Sequence, residues 1–260
     1  MEKIVFSDID GTIKPRNGKI SEYSKEVLKA LNTKNIPVVF VTGRNREIAE
    51  KVASEFNSRY IIDSNGGEIF DIQTRNSLFL TPLPKEGVSE LYEFCMSRKL
   101  PMLIHVNADF SFASIPGNSD AVERPISSID EIFANYTVIG GVILNIPDDE
   151  LSEVKSKVFS LDGMSIGNEG LHPNANSLDF TSKYSSKGIA IKKLLQHLGL
   201  SYDEAISFGD GINDISMFTA THKSVALGNA NEGLKALADD LAGNCADDGV
   251  AKYLAEHLLA

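Results

Sequence analysis

The chain has 260 residues, 42% hydrophobic and 23% charged, with a formal net charge of −11, a length for one large or two small domains and a charge that argues against nucleic acid or an anionic membrane as partner. Its longest apolar stretch, Val138 to Ile146, is interrupted by Gly140, Gly141 and Asn145 and is too short to span a bilayer, and the acid-bearing N-terminus does not read as a secretory signal. Cys95 and Cys245 lack a CxxC partner or clustered histidines, so reduced, buried thiols in a cytoplasmic protein are expected.

Ile4-Val5-Phe6 is short, β-branched and aromatic and runs straight into a turn, the pattern of a buried strand. At its end stand Asp8 and Asp10, then Gly11 and Thr12. Carboxylates are rarely buried unless paired, hydrogen-bonded or metal-bound, and the carboxyl ends of strands are where open α/β sheets hold their ligands. Ser21 can cap a helix with Val27, Leu28 and Leu31 on one face. Val38 to Val41 is a second buried strand, and it ends in Thr42-Gly43-Arg44. Asn45 can cap a helix in which Ile48, Val52 and Phe56 recur, and Tyr60 to Ile62 is a third strand. This βαβαβ unit predicts a parallel, doubly wound sheet.

Around Thr81-Pro82-Leu83-Pro84 two prolines mark a stiff linker and the pattern changes. A helix bearing Val88, Leu91, Tyr92 and Cys95 is followed by strands at Met102 to Val106 and near Phe110 to Ile115, and by a weak helix near Ile129. Then come a strand at Val138 to Ile146, a helix with Leu151, Val154 and Val158, and strands near Met164 to Ile166 and Leu178 to Thr181. Strand pairs with interspersed helices read as α+β. From Lys187 the alternating pattern resumes, with a helical stripe of Ile191, Leu194, Leu195 and Leu198 stopped at Gly199. Strands at Ala205 to Phe208 and Ser224 to Leu227 and a last helix near Val250 to Leu259 follow. The expected architecture is therefore an α/β core with a doubly wound parallel sheet, residues 1–81 plus 183–260, into which an α+β cap, residues 82–182, is inserted as a lid over the crevice.

Four elements carry chemistry. The first, Asp8-Ile-Asp10-Gly11-Thr12, is not an EF-hand loop, whose sixth and twelfth positions would be Ile13 and Lys19 instead of Gly and Glu. On its own it reads equally as two solvated aspartates in a turn. The second, Thr42-Gly43-Arg44, offers a hydroxyl and backbone N–H groups at a helix start, a setting that suits an anion. The third is Lys187-Gly188, where a lysine in a first turn needs a partner elsewhere. The fourth, Gly209-Asp210-Gly211-Ile212-Asn213-Asp214, ends another buried strand in two acids. If the two acid-bearing strands are neighbours, Asp8, Asp10, Asp210 and Asp214 converge and repel one another. A divalent cation relieves that repulsion, and an all-oxygen set without His or Cys favours Mg2+. With Lys187, Arg44, Thr42 and Asn213 around it, such a site is built to hold a phosphoryl group.

These elements, in this order, resemble the haloacid dehalogenase superfamily of phosphohydrolases: D-x-D-x-T (Asp8, Asp10, Thr12), Thr42-Gly43-Arg44, Lys187-Gly188 and G-D-x-x-N-D (Gly209, Asp210, Asn213, Asp214). The large insertion and Asn65-Gly66-Gly67 after the third strand are similar to the Cof-type branch. The resemblance implies Asp8 as nucleophile forming an aspartyl-phosphate and Asp10 as general acid and then base. It implies Mg2+ held by Asp8, the backbone carbonyl of Asp10 and Asp210, with Asp214 in support, and phosphate held by Thr42, Gly43, Arg44, Lys187 and Asn213. A small phosphorylated metabolite, such as a sugar phosphate, is the expected partner, with His105, Asn107, His172, Asn174 and Asn176 as cap residues able to hydrogen-bond it. A phosphomutase uses the same two aspartates, and a phosphate-responsive switch also pairs Mg2+ with an aspartate. A dehalogenase needs neither Asp10 nor the metal-binding acids.

Overall fold

In the computed structural model, which describes residues 3–117, 122–171 and 175–260, the chain folds around two sheets. β1 (Ile4–Ser7) and β2 (Val38–Val41) are buried along their whole length, as near-continuous apolar strands covered on both faces must be. Two capped helices cross between strands. In α1 (Glu22–Thr33) the Ser21 hydroxyl accepts the Ser24 N–H at 3.0 Å, and in α2 (Arg46–Ser54) Asn45 Oδ1 accepts the Ile48 N–H at 3.3 Å. β3 (Tyr60–Asp63) pairs parallel with β2. A hairpin then widens the sheet: β4 (Glu68–Asp71) runs antiparallel to β3, and β5 (Asn76–Leu80) antiparallel to β4. Apolar alternation does not announce this hairpin, because two acids, Glu68 and Asp71, are buried in it.

The inserted segment begins with α3 (Lys85–Ser97), β6 (Met102–Val106), β7 (Ser111–Ala113) and β8 (Glu123–Pro125). It continues through α4 (Ile129–Asn135), β9 (Val138–Ile146), α5 (Leu151–Ser160), β10 (Met164–Leu171) and β11 (Asn176–Ser182). Its sheet has the order β10-β11-β9-β6-β7-β8, antiparallel except where β8 joins β7. β10 and β11 extend well beyond the short strands expected there, because each completes the other's backbone hydrogen bonding over most of its length.

The chain returns through α6 (Lys187–Leu198), capped by Ser186 and stopped by Gly199 at φ 67°. β12 (Ala205–Gly209), α7 (Ile215–Phe218), β13 (Lys223–Ala226), α8 (Glu232–Lys235), β14 (Asp240–Leu241) and α9 (Gly249–Leu254) follow. The last helix is shorter than its apolar pattern implies, passing into a π-helical turn at Ala255–Leu259. The large sheet reads β14-β13-β12-β1-β2-β3-β4-β5. β1 therefore lies between β12 and β2, parallel to both, which brings the ends of the first, second and fourth chemical elements together.

Each sheet has its own buried apolar cluster, one around Phe6, Phe40 and Phe208, the other around Ile104, Ile143 and Phe180. Between them runs a polar contact. Arg46 reaches from α2 to Glu68 at 3.2 Å and, through Nε, to Asp109 of the cap at 2.9 Å. Asn45 Nδ2 donates to Ser111 Oγ at 2.9 Å, and Ser64 Oγ lies 3.2 Å from His105 Nδ1. The proline-flanked crossing is pinned: Leu83 is buried in the cap cluster and its N–H donates to the Val138 carbonyl at 2.9 Å.

Candidate active site

Immediately after β1 the chain must turn hard, and Gly11 makes this possible at φ +91°. A Cβ at Gly11 would lie 2.3 Å from Asp210 Oδ2, so only glycine lets the two acidic loops approach this closely. Thr12 Oγ1 donates to Asp210 Oδ1 at 2.9 Å and ties the loops together. Asn229 holds the turn from behind, its Nδ2 donating to the Gly11 carbonyl at 2.8 Å while its Oδ1 accepts the Cys245 N–H at 2.7 Å. No motif marked Asn229 in advance; its place after β13 is the only signal it carries.

Lys187, 1% exposed, sits at the centre. Its Nζ donates to Asp8 Oδ1 at 2.6 Å and to Asp214 Oδ1 at 2.7 Å. These partners outweigh burial and hold the ammonium well above its ordinary range, so it stays charged. Asp214 Oδ2 is also engaged, accepting the Asp210 and Gly211 N–H groups at 2.9 Å. Burial pushes the Asp8 carboxyl up to about 7; Lys187 opposes this, and Asp214 and Asp210 add to it. Asp210 is raised by burial and then by Asp214. Arg16 reaches Asp210 Oδ2 at 3.1 Å from the loop that follows Thr12.

Asp10 faces a different set. Arg44 grips it through Nε and through Nη2 at 3.0 Å, and Lys14 lies 3.4 Å away. The Arg44 guanidinium thus closes on Asp10. Thr42 is buried at the end of β2, and its hydroxyl accepts the Arg44 N–H at 3.2 Å. Asn213 Nδ2 donates to Asn65 Oδ1 at 3.0 Å, and Asn65 Nδ2 donates to Asp179 Oδ2 at 2.9 Å. Asn65 occupies a left-handed turn at φ 54°, followed by Gly66 at φ 90°.

Asp8, Asp210 and Asp214 each offer a carboxylate oxygen within 4.8 Å of the others. An all-oxygen set of this kind, with Asp8 and Asp210 raised by burial and mutual repulsion, fits a hard divalent cation. The Asp10 side chain is not in this cluster.

Asp8, Asp10, Arg44, Lys187, Asp210 and Asn213 line a cleft of about 1470 Å³ between the core and the cap, with Leu103, Val142, Leu144, Ile166 and Asp179 on the cap side. Of the cap residues expected to face a ligand, His105 lines the cleft but is buried against Ser64. Asn107 instead holds a loop through the Thr137 N–H at 2.8 Å, and Asn176 is buried against Ile146 and Asp148. Both are backbone-satisfying residues, for which loop polarity is the reason. His172 and Asn174 lie outside the described residues. Asp179, Arg16 and Arg46 carried no sequence signal, since each stands alone among ordinary strand, loop or helix residues.

The sequence profile of the haloacid dehalogenase-like hydrolases matches residues 5–254. The 5-amino-6-(5-phospho-D-ribitylamino)uracil phosphatase YcsE of Bacillus subtilis is 25% identical over 262 residues, covering 99% of this chain and 96% of its own. The solved structure of the subclass IIB sugar phosphatase BT4131 is 26% identical with a TM-score of 0.79, covering 98% of both chains. A haloacid dehalogenase-like hydrolase from Bacteroides thetaiotaomicron shares the fold at a TM-score of 0.86 and 24% identity, covering 98% of this chain and 99% of its own. The α/β core with an inserted cap, the buried acids and these matches agree: the chain belongs to the haloacid dehalogenase-like hydrolase family, as a phosphatase acting on phosphoric monoesters.

Proposed function

We propose that the protein is a Mg2+-dependent, cytoplasmic phosphatase of a small phosphorylated metabolite, a sugar phosphate or a close relative, working through an aspartyl-phosphate on Asp8. The observation that carries this reading is the meeting of Asp8, Asp210 and Thr42 at the ends of three adjacent parallel strands, with Lys187 Nζ between Asp8 and Asp214. The similarity to YcsE, a 5-amino-6-(5-phospho-D-ribitylamino)uracil phosphatase, and to BT4131, a sugar phosphatase, supports the substrate class.

Asp8 attacks phosphorus in line with the leaving oxygen, and Asp10 gives that oxygen its proton as the P–O bond breaks. Arg44 and Lys14 fix the position of the Asp10 carboxyl. Asp10 then takes a proton from the water that hydrolyses the aspartyl-phosphate. Thr42, the Gly43 turn, Lys187 and Asn213 hold the phosphoryl oxygens, and Lys187 also favours the ionised form of Asp8 against its burial. Asp8, Asp210 and the Asp10 carbonyl would hold the cation, which neutralises phosphoryl charge when bound. Asp214 serves by anchoring Lys187 and the Asp210 loop, since both of its oxygens are committed. In this reading residues 1–81 plus 183–260 are the catalytic core and 82–182 the lid.

The test is phosphate release from a panel of small monoesters, with Mg2+ and with chelator, beside Asp8→Asn. Release that depends on the metal and falls at least about 1000-fold in the variant supports the mechanism. Undiminished turnover by Asp8→Asn, or full turnover in chelator, refutes it.

A further inference from the structure

Substrate choice in a capped site rests on what the cap turns toward the leaving group. Among the described cap residues that line the cleft, none is Lys or Arg. Leu103, Val142, Leu144 and Ile166 give an apolar wall, and Glu169 is occupied by an ion pair with Lys155. Of the two described cap carboxylates that line the cleft, Glu169 and Asp179, it is Asp179, on β11, that has no ion pair. A Cβ on Gly43 would lie 2.8 Å from Asp179 Oδ2, so this carboxylate sits directly over the Thr42-Gly43-Arg44 turn. Asn65 holds Oδ2 at 2.9 Å, and Asn213 in turn holds Asn65 at 3.0 Å, so the cap acid is fixed to the phosphate end of the cleft. Oδ1 accepts no hydrogen bond from any described residue and is free to take one from a ligand.

The core cations bordering the cleft are all committed: Lys187 to Asp8 and Asp214, Arg44 to Asp10 and Arg16 to Asp210. A second anionic group on the substrate would therefore meet no cation from the cap, and would face Asp179. An uncharged leaving group with a hydroxyl or amine N–H would instead donate to it. An acceptor that is left unpaired by the wrong ligand, or repelled by it, discriminates more strongly than apolar contact does.

We propose that Asp179 is a specificity-determining residue, accepting a hydrogen bond from an uncharged, hydroxyl- or amine-bearing leaving group and rejecting leaving groups that carry a second negative charge. The apolar wall receives the ring or carbon face of the same group. The proposal rests on the phosphatase reading above and narrows it to monophosphates, away from bisphosphates and phosphorylated acids. It also weighs against a mutase, whose bisphosphorylated intermediate needs cations in the cap.

The experiment compares kcat/KM of the wild-type enzyme with Mg2+ for glucose 6-phosphate against 6-phosphogluconate and glucose 1,6-bisphosphate. p-Nitrophenyl phosphate serves as a reference without a donor. The expected wild-type preference for the neutral ester is at least tenfold over each anionic one. In Asp179→Asn, which keeps the shape and removes the charge, that ratio falls at least fivefold. The ratio of glucose 6-phosphate to p-nitrophenyl phosphate falls too in Asp179→Ser, which removes the acceptor geometry. A wild-type ratio near one, or a ratio unmoved in both variants, overturns the proposal; because the first of these needs no variant, misfolding cannot hide the answer. If p-nitrophenyl phosphate is hydrolysed while the ratios do not behave as stated, only the role of Asp179 fails. If no ester in the panel releases phosphate, the phosphatase reading fails and takes this proposal with it.

Discussion

Lys187 shows how one side chain serves both stability and chemistry. It is an ammonium in the interior whose cost of burial is offset only because Asp8 and Asp214 both accept from it at under 2.8 Å. Removing it leaves two acids facing each other without a cation. Lys187→Gln is expected to destabilise the fold by about 3–5 kcal/mol at neutral pH, the cost of stranding buried charge. The same substitution should lower kcat at least about 100-fold, since a preorganised cation at the phosphoryl group is lost. Urea denaturation and phosphate release measure the two effects; a variant as stable as the parent would show that the acids do not depend on this lysine. Gly11 illustrates the opposite economy, a residue chosen for what it lacks. At φ +91° and 2.3 Å from a carboxylate, a methyl group there is expected to weaken Mg2+ binding at least tenfold by calorimetry, because it forces Asp210 away.

Among the elements, α2 joins the two halves through side-chain hydrogen bonds. Its N-cap residue Asn45 bonds Ser111 of the cap, and its first residue, Arg46, joins buried Glu68 on β4 to Asp109. Glu68 is also held by Ser77 on β5. Arg46→Ala is expected to cost about 3–5 kcal/mol, because the buried Glu68 carboxyl, already raised by burial, would lose the cation that opposes that burial. Adding Glu68→Gln should recover at least half of that loss. No recovery in the double variant, read from chemical denaturation, would mean that Arg46 acts through packing on Phe70, over whose ring its guanidinium lies at 4.4 Å.

For the molecule as a whole, the contact between core and cap makes stability depend on pH. Burial pushes His105 down to about 4, and it faces Ser64, whose hydroxyl donates to Asp63. Burial and neighbouring Glu68 hold Asp63 well above its ordinary range. A depressed histidine is neutral in the folded state, so its contribution is complete above the unfolded value near 6.5 and is lost as pH falls toward 4. At pH 4.5 this costs about 2–3 kcal/mol relative to pH 7.5. In His105→Gln the loss between those two pH values should shrink by that amount, and thermal melts at both pH values measure it. An equal loss in parent and variant would assign the acid sensitivity elsewhere.

The local signals were legible in the chain because each lies within a few consecutive residues. A buried strand ending in Asp8 and Asp10, a second ending in Thr42, Lys187 at a helix start and the run from Gly209 to Asp214 are all short-range patterns, and so are the caps at Ser21 and Asn45. Hydrophobic periodicity and helix capping act over one or two turns, which is why the element order, the parallel core and the inserted α+β block could be read directly. The hairpin of β4 and β5 could not, since buried Glu68 and Asp71 break the apolar pattern and are tolerated only because Arg46 and Arg59 reach them from elsewhere. The convergence of the acids required β12 to settle beside β1, a pairing of residues some 200 positions apart that no local pattern encodes. Asp179, 114 positions from Asn65, and Asn229, 218 positions from Gly11, are single polar residues with no motif around them. Their roles exist only once folding has brought a distant donor within hydrogen-bond reach, and that is a property of the tertiary structure alone.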